Sequence, residues 1–159
     1  MNEHLTFLQC PVCSEPLKNS AENLTCGKHT FDKKHGVWRF TEASYYYGEI
    51  PQQEMKAIVD DAHNNGARKA VSNYLNSKPA SVSSVLYKYL YDPSRTSWVY
   101  LSNLKKRKRV LDIGSGWGAL LLPLAQHFEQ AVGVAFTLER VEFTAEAAKE
   151  RKLDNVTLI

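Results

Sequence analysis

Residues 110 to 118, Val-Leu-Asp-Ile-Gly-Ser-Gly-Trp-Gly, constrain the fold more than any other stretch, because they read as a strand running straight into a glycine turn. Val110, Leu111 and Ile113 supply the β-prone run, and Asp112 falls at its carboxyl end. Gly114, Gly116 and Gly118 remove side chains where a ligand or another backbone must approach closely. A helix is expected next, its free N–H groups facing whatever occupies the turn.

The chain continues the same alternation. Leu120, Leu121, Leu124 and Phe128 fall at helical spacing over 119–128, with Pro123 loosening the first turns, and Ala131 to Phe136 read as a second strand. A second helix starts near Thr137 as N-cap, places Leu138, Val141, Ala145 and Ala148 on one face, and carries Lys149, Arg151 and Lys152 in its last turn. Leu153-Asp154-Asn155 then turns the chain into a third strand, Val156 to Ile159. This order predicts an α/β fold, a parallel sheet of about three strands with right-handed crossovers and a ligand at the strands' carboxyl edge.

Gly114, Gly116 and Ala119 also meet the looser dinucleotide pattern G-x-G-x-x-G/A, whereas a P-loop is excluded because no Gly-Lys-Ser/Thr follows. The aspartate two residues before the first glycine separates the readings. Asp-x-Gly-x-Gly-x-Gly resembles motif I of class I S-adenosylmethionine-dependent methyltransferases. The resemblance implies a Rossmann-like core of seven strands, of which residues 105–159 supply three. It implies a cofactor site at Asp112, Gly114, Ser115, Gly116, Trp117 and Gly118, with Ala135 and Phe136 ending the second strand and Asp112 facing the ligand's cationic end. On that reading the chain is the amino-terminal part of a methyltransferase, inactive alone, whose catalytic base and acceptor loops lie beyond Ile159.

One position departs from that family. Ala135 stands where an Asp or Glu usually accepts hydrogen bonds from the ribose hydroxyls, and losing such a charge-assisted acceptor costs about 1.5–3 kcal/mol. Glu139, one helical turn on, either reaches back or serves only as a favourable charge at a helix N-terminus.

The second signal is the cysteine arrangement. Cys10-x2-Cys13 and Cys26-x2-His29 are two half-sites of the kind that bring two ligands each to one zinc ion. A disulfide with a leftover thiol and three unrelated thiols are the alternatives, and the odd cysteine count and lack of a secretory segment weigh against the disulfide. His35 competes with His29 as fourth ligand, and His4 reads as surface. The run from Leu24 through His29, Phe31-Asp32 and Gly36-Val37-Trp38-Arg39-Phe40 resembles the small zinc-ribbon module at the front of several methyltransferases, where the fourth ligand is more often cysteine. Residues 1–40 are thus expected to form a ribbon around a structural, closed zinc site, since about 40 residues bury too little apolar surface to fold unaided.

Residues 41–104 read as a helical lead-in. Pro51 suits a helix N1, Met55, Ile58, Val59 and Ala62 share a face, and Gly66 ends that helix. Further helices are expected over 68–75, 82–91 and 93–104, the last capped by Asp92, with a serine-rich loop over 76–84. Tyr45 to Pro51 and Asp92 to Trp98 resemble lead-in segments of bacterial methyltransferases. The bland readings are aromatic packing against the sheet for the tyrosines and a core place for Trp98, against Arg95 and Trp98 lining an entrance.

The formal net charge is +3, and the run Lys105-Lys106-Arg107-Lys108-Arg109 alone outweighs it. Such a run contacts RNA phosphates or is a solvated loop; lacking interleaved aromatics, it does not make the chain a nucleic-acid binder. At 43% apolar and 11% aromatic residues the composition is that of an ordinary globular chain, and no run approaches the roughly 18 apolar residues of a membrane span. Reduced cysteines and zinc point to the cytoplasm. The function expected is methyl transfer from S-adenosylmethionine, with a sugar or small-molecule acceptor favoured over RNA. The alternative is a non-catalytic zinc-ribbon module that docks RNA or protein.

Overall fold

The computed structural model describes residues 7–20, 23–42, 45–91, 94–101 and 108–159. His4, Asp92, Pro93 and Lys105 to Arg107 lie outside the described residues. The chain first forms four short strands, β1 (Lys18–Ser20), β2 (Asn23–Thr25), β3 (Thr30–Lys34) and β4 (Val37–Trp38). Four helices follow: α1 (Gln52–Asn65), α2 (Ala67–Asn76), α3 (Ala80–Tyr91) and α4 (Ser94–Leu101). The remainder is β5 (Arg109–Ile113), α5 (Leu121–Ala125), β6 (Gln130–Val134), α6 (Leu138–Glu150) and β7 (Val156–Leu158).

Two modules that the sequence separates share one sheet. Its order is β1-β2-β3-β4-β7-β6-β5. The ribbon strands pair antiparallel, β5, β6 and β7 pair parallel, and the join is a parallel pairing of Val37 with Leu158. The described architecture is therefore an α/β fold with a seven-stranded mixed sheet, larger than the three-stranded sheet expected. The difference arises because the two-residue strand β4 leaves its outer edge free for β7.

Packing reinforces the join. Val37 is buried with Leu121, Ala131, Val141 and Leu158 between the sheet and helices α5 and α6. The ribbon keeps its own small core of Cys10, Leu17, Leu24, Phe31 and Trp38, against which Ile159 packs. A third cluster unites α1, α2 and α6 around Met55, Ile58, Val71, Trp117 and Phe143. Lying between the sheet and α1, helix α6 is buried over most of its circumference, so its charged residues must find partners inside the fold.

Local chemistry explains where the elements depart from their expected bounds. Helix α5 is only five residues long; Pro123, lacking an N–H, cannot donate to Ala119 O, so the helix does not start as early as expected. Helix α3 starts earlier than expected, at Ala80, with the Val82 and Ser83 amides donating to Pro79 O. Pro51 precedes α1 as its cap residue instead of sitting at N1. Thr137 does cap α6, but its hydroxyl donates to Tyr47 O and not to the helix.

Two aromatic expectations fail. Among the described side chains of α4, Thr96 is buried, and Trp98, two positions on and so turned to the other side, is 53% exposed. Of the three tyrosines only Tyr46 packs, against the α1–α6 cluster, with its hydroxyl donating to Ile50 O; Tyr45 and Tyr47 are exposed.

Candidate functional site

The glycine loop is positioned by the end of β6. The Gly114 and Ser115 amides donate to Val134 O at 2.7 and 3.2 Å, and Gly118 N–H closes the turn on Ser115 O at 2.8 Å. From below, fully buried Thr144 of α6 donates its hydroxyl to Gly116 O at 2.8 Å. These bonds hold the loop at the carboxyl edge of the parallel strands, where the topology places a ligand.

Each glycine is required for a different reason. Gly114 and Gly116 have φ of +81° and +48°, and a Cβ at either meets open space or only Gly114 O at 3.7 Å. They present bare backbone to the cleft. At Gly118 a Cβ would lie 2.6 Å from Thr144 Cγ2, so this residue serves the packing of α5 on α6. Gly133, on β6 beneath the loop, would meet Leu121 at 2.6 Å and Ser115 Oγ at 2.9 Å.

Asp112 lies in β5, two residues before Gly114. The Leu121 N–H bonds its carboxylate, yet burial dominates and raises its pKa above the ordinary aspartate value. Its Oδ2 is buried without a hydrogen-bond partner among the described residues, as is Ser115 Oγ. An ionisable oxygen left unsatisfied costs free energy that a cationic or hydrogen-bonding ligand recovers.

The remaining loop residues divide between cleft and core. The Trp117 ring is buried edge-on against Phe143, with centroids 4.9 Å apart, so this residue offers the cleft its backbone only. Ala135 ends β6 with its amide donating to Ile159 O, and Phe136 beside it is 80% exposed.

Glu139 does not reach back towards Ala135. Its carboxylate accepts from Gln52 Nε2 of α1 at 2.6 Å, and its second oxygen is buried without a partner among the described residues. Next to it Arg140 is buried, bonded to Glu49 at 2.5 Å, and its guanidinium lies 5.7 Å from the Trp117 ring centroid. The strap carrying Glu49 passes so close that a Cβ on Gly48 would be 2.0 Å from Arg140 Nη2.

In the ribbon, Cys10, Cys13, Cys26 and His29 converge. Their ligand atoms all lie within 4.8 Å of one another. His29 Nδ1 is 3.5 Å from Cys10 Sγ and 3.6 Å from both Cys13 and Cys26 Sγ, and Cys13 and Cys26 are 3.6 Å apart. A tetrahedral zinc with bonds of about 2.3 Å to sulfur and 2.0–2.1 Å to nitrogen needs ligand separations of about 3.5–3.8 Å. The donor set fits such an ion.

Electrostatics prepares the same site. Burial raises the Cys26 thiol, but the Lys28 and His29 amides, the His29 ring and Cys13 outweigh it and bring Cys26 down to about 6. Against a lowering bond from the Glu15 amide, burial and the neighbouring Cys10 and Cys26 sulfurs push Cys13 up. No disulfide joins the three cysteines.

His35, the competing ligand, is committed elsewhere. It sits at φ +48° beside Gly36 and bonds Glu142 Oε1 of α6 at 3.0 Å, the same oxygen that accepts from Arg39 Nη2 at 2.9 Å. Of the basic run, Arg109 donates to Gln130 Oε1 and lies over the Phe7 ring. Thr144 is the positioning residue that spacing alone does not reveal; it is the one hydroxyl among the small and apolar positions of α6 facing the loop.

No protein-family model and no curated protein matches the chain. Among solved structures it is similar to an S-adenosylmethionine-dependent methyltransferase from Aquifex aeolicus, at 25% identity and a TM-score of 0.36, over 46% of this chain and 39% of that one. It is also similar to magnesium protoporphyrin IX methyltransferase from Synechocystis PCC 6803 with bound SAH, at 25% identity and a TM-score of 0.40, over 66% of this chain and 50% of that one. The chain thus spans half or less of the length of these two proteins. Among the described residues, no helix is long and apolar enough to cross a membrane.

Proposed function

We propose that this chain carries the S-adenosylmethionine-binding strands of a methyltransferase, with a structural zinc ribbon built onto the same sheet. One observation carries the reading: Asp112 Oδ2 is buried and unpartnered among the described residues, two positions before the turn in which Gly114 and Gly116 expose side-chain-free backbone. Asp112 would hold the ligand's cationic end, the Gly114 and Gly116 backbone would admit it without steric contact, and Ser115 Oγ offers a further hydrogen bond. S-adenosylmethionine supplies a methyl group already activated for in-line displacement, so the protein's task is to position and to exclude water.

Cys10, Cys13, Cys26 and His29 would hold zinc in a closed site with no position left for water, and so a folding role. The acceptor proposed is a sugar or other small molecule, on the resemblance of the lead-in segment. Calorimetry tests the cofactor class: S-adenosylmethionine should bind and NADH should not, and the reverse order contradicts the proposal.

Ala135, together with the engagement of Glu139 by Gln52, favours a second reading, a non-catalytic module that docks RNA or protein. That reading expects a steeply salt-dependent RNA gel shift lost on neutralising Lys105 to Arg109.

A further inference from the structure

Behind the glycine loop, on the helix layer, the fold leaves a cavity of about 1200 Å³ between α2 and α3 on one side and α5 and α6 on the other. Asp112, Gly114, Gly116, Ala135 and Phe136 are not among its lining residues, whereas Trp117 and Gly118 at the end of the glycine loop are. Its floor is apolar, formed by Val71, Leu75, Trp117, Leu122, Phe143 and Ala147. These belong to or pack against the α1–α2–α6 core. The volume exceeds the roughly 300–1000 Å³ of most small-molecule sites, and the apolar floor lies under a rim of polar and charged side chains.

The rim carries one sign of charge. Arg68, Lys78, Lys88 and Arg151 line the cavity against a single carboxylate, Glu150. Arg68 is within 4.0 Å of Glu150, and Lys78 is held at 2.8 Å by Glu54 outside the cavity. Lys88 on α3 and Arg151 at the end of α6 have no carboxylate partner among the described residues. A neutral hydrocarbon would leave these two cations unanswered, and a bare anion would leave the floor wet.

We propose that this groove is a ligand site for a single-chain anionic amphiphile. Its hydrocarbon lies along Leu75, Leu122 and Phe143, and its phosphate or carboxylate lies between Lys88 and Arg151. Because Trp117 forms part of the floor and its backbone part of the glycine loop, occupancy is read by tryptophan emission. The groove shares Trp117 and Gly118 with the proposed cofactor loop, and because its test uses no S-adenosylmethionine the two readings fail separately.

The probe is dodecyl phosphate below its micellar concentration, titrated into the full chain by calorimetry and fluorescence. One molecule per chain is expected, with affinity rising about fourfold for each methylene added from octyl to dodecyl. The exposed double variant Lys88→Glu/Arg151→Glu should bind it at least tenfold more weakly, while neutral dodecyl maltoside binds both proteins alike and the melting curve is unchanged. Leu75→Asn should flatten the chain-length dependence.

Equal affinity for dodecyltrimethylammonium, or no loss in the double variant, overturns the proposal. Full competition by inorganic phosphate would mean a free-anion site, and binding to anionic phospholipid vesicles alone would mean a membrane surface. Either result also overturns it.

Discussion

Val37 of the ribbon and Leu158 of β7 are parallel β partners and members of one buried cluster. The ribbon is therefore a continuation of the main sheet. Ribbon-derived apolar groups complete the edge that β7 would otherwise expose.

Loss of metal should thus be felt globally. One zinc per chain is expected by elemental analysis, and Cys10→Ser or Cys26→Ser should lose it. Chelation of the wild type should lower the melting temperature in a single transition that moves ribbon and helix signals together. Two separate transitions, with the helical one unmoved, would refute this coupling.

Glu142 fastens the ribbon turn to α6 by accepting from both His35 and Arg39, and its side chain is only 11% exposed. Removing it takes away the carboxylate that pairs with the partly buried Arg39 guanidinium. Glu142→Ala should cost about 1.5–3 kcal/mol in urea unfolding, with Glu142→Gln intermediate. A loss below about 0.5 kcal/mol, the usual size of an exposed-site change, would show that the pair is solvated and contributes nothing.

The two glycines on either side of Ser115 Oγ should respond differently from each other. Gly133→Ala forces a methyl to within 2.6 Å of Leu121 and should cost about 1–3 kcal/mol by overpacking. Gly114→Ala meets nothing within 4 Å and bears only the strain of positive φ, roughly 1–2 kcal/mol. It should nevertheless obstruct the cleft. Thermal melts and ligand titration of both variants separate packing from access.

Asp112 should trade stability for function. Its pKa is raised in the folded chain, mainly by burial, so the folded state holds the proton more tightly than the unfolded one. The penalty for ionising it is absent below the ordinary aspartate range and is fully felt once the pH exceeds the raised value. Asp112→Asn should therefore raise the melting temperature at neutral pH, and the advantage should fade as the pH falls through the ordinary aspartate range. A variant less stable than wild type at pH 7 would contradict this.

Much of this was legible in residue spacing, but for local reasons only. The alternation of Val110, Leu111 and Ile113 with the three glycines announces strand and turn, and the x2-spaced cysteines announce a convergence of possible metal ligands, because both patterns are short in sequence. The Val37–Leu158 pairing joins residues 121 positions apart, and no periodicity encodes it. Likewise α6 shows one apolar face in sequence, whereas Glu139, Arg140 and Glu142 are buried by the partners Gln52, Glu49 and Arg39. Those partners come from segments far away in the chain, and His35, a candidate ligand by spacing, is likewise engaged by the distant Glu142.

The most direct test uses amide chemical shifts, which report even weak binding. S-adenosylhomocysteine titrated into the nitrogen-15-labelled chain should shift the amides of Ile113, Gly114, Ser115 and Gly116 together, and Asp112→Ala should weaken that response at least tenfold. If the loop amides stay in place while others move, or if Asp112→Ala binds as the wild type does, then Asp112 and the glycine loop are not the cofactor site.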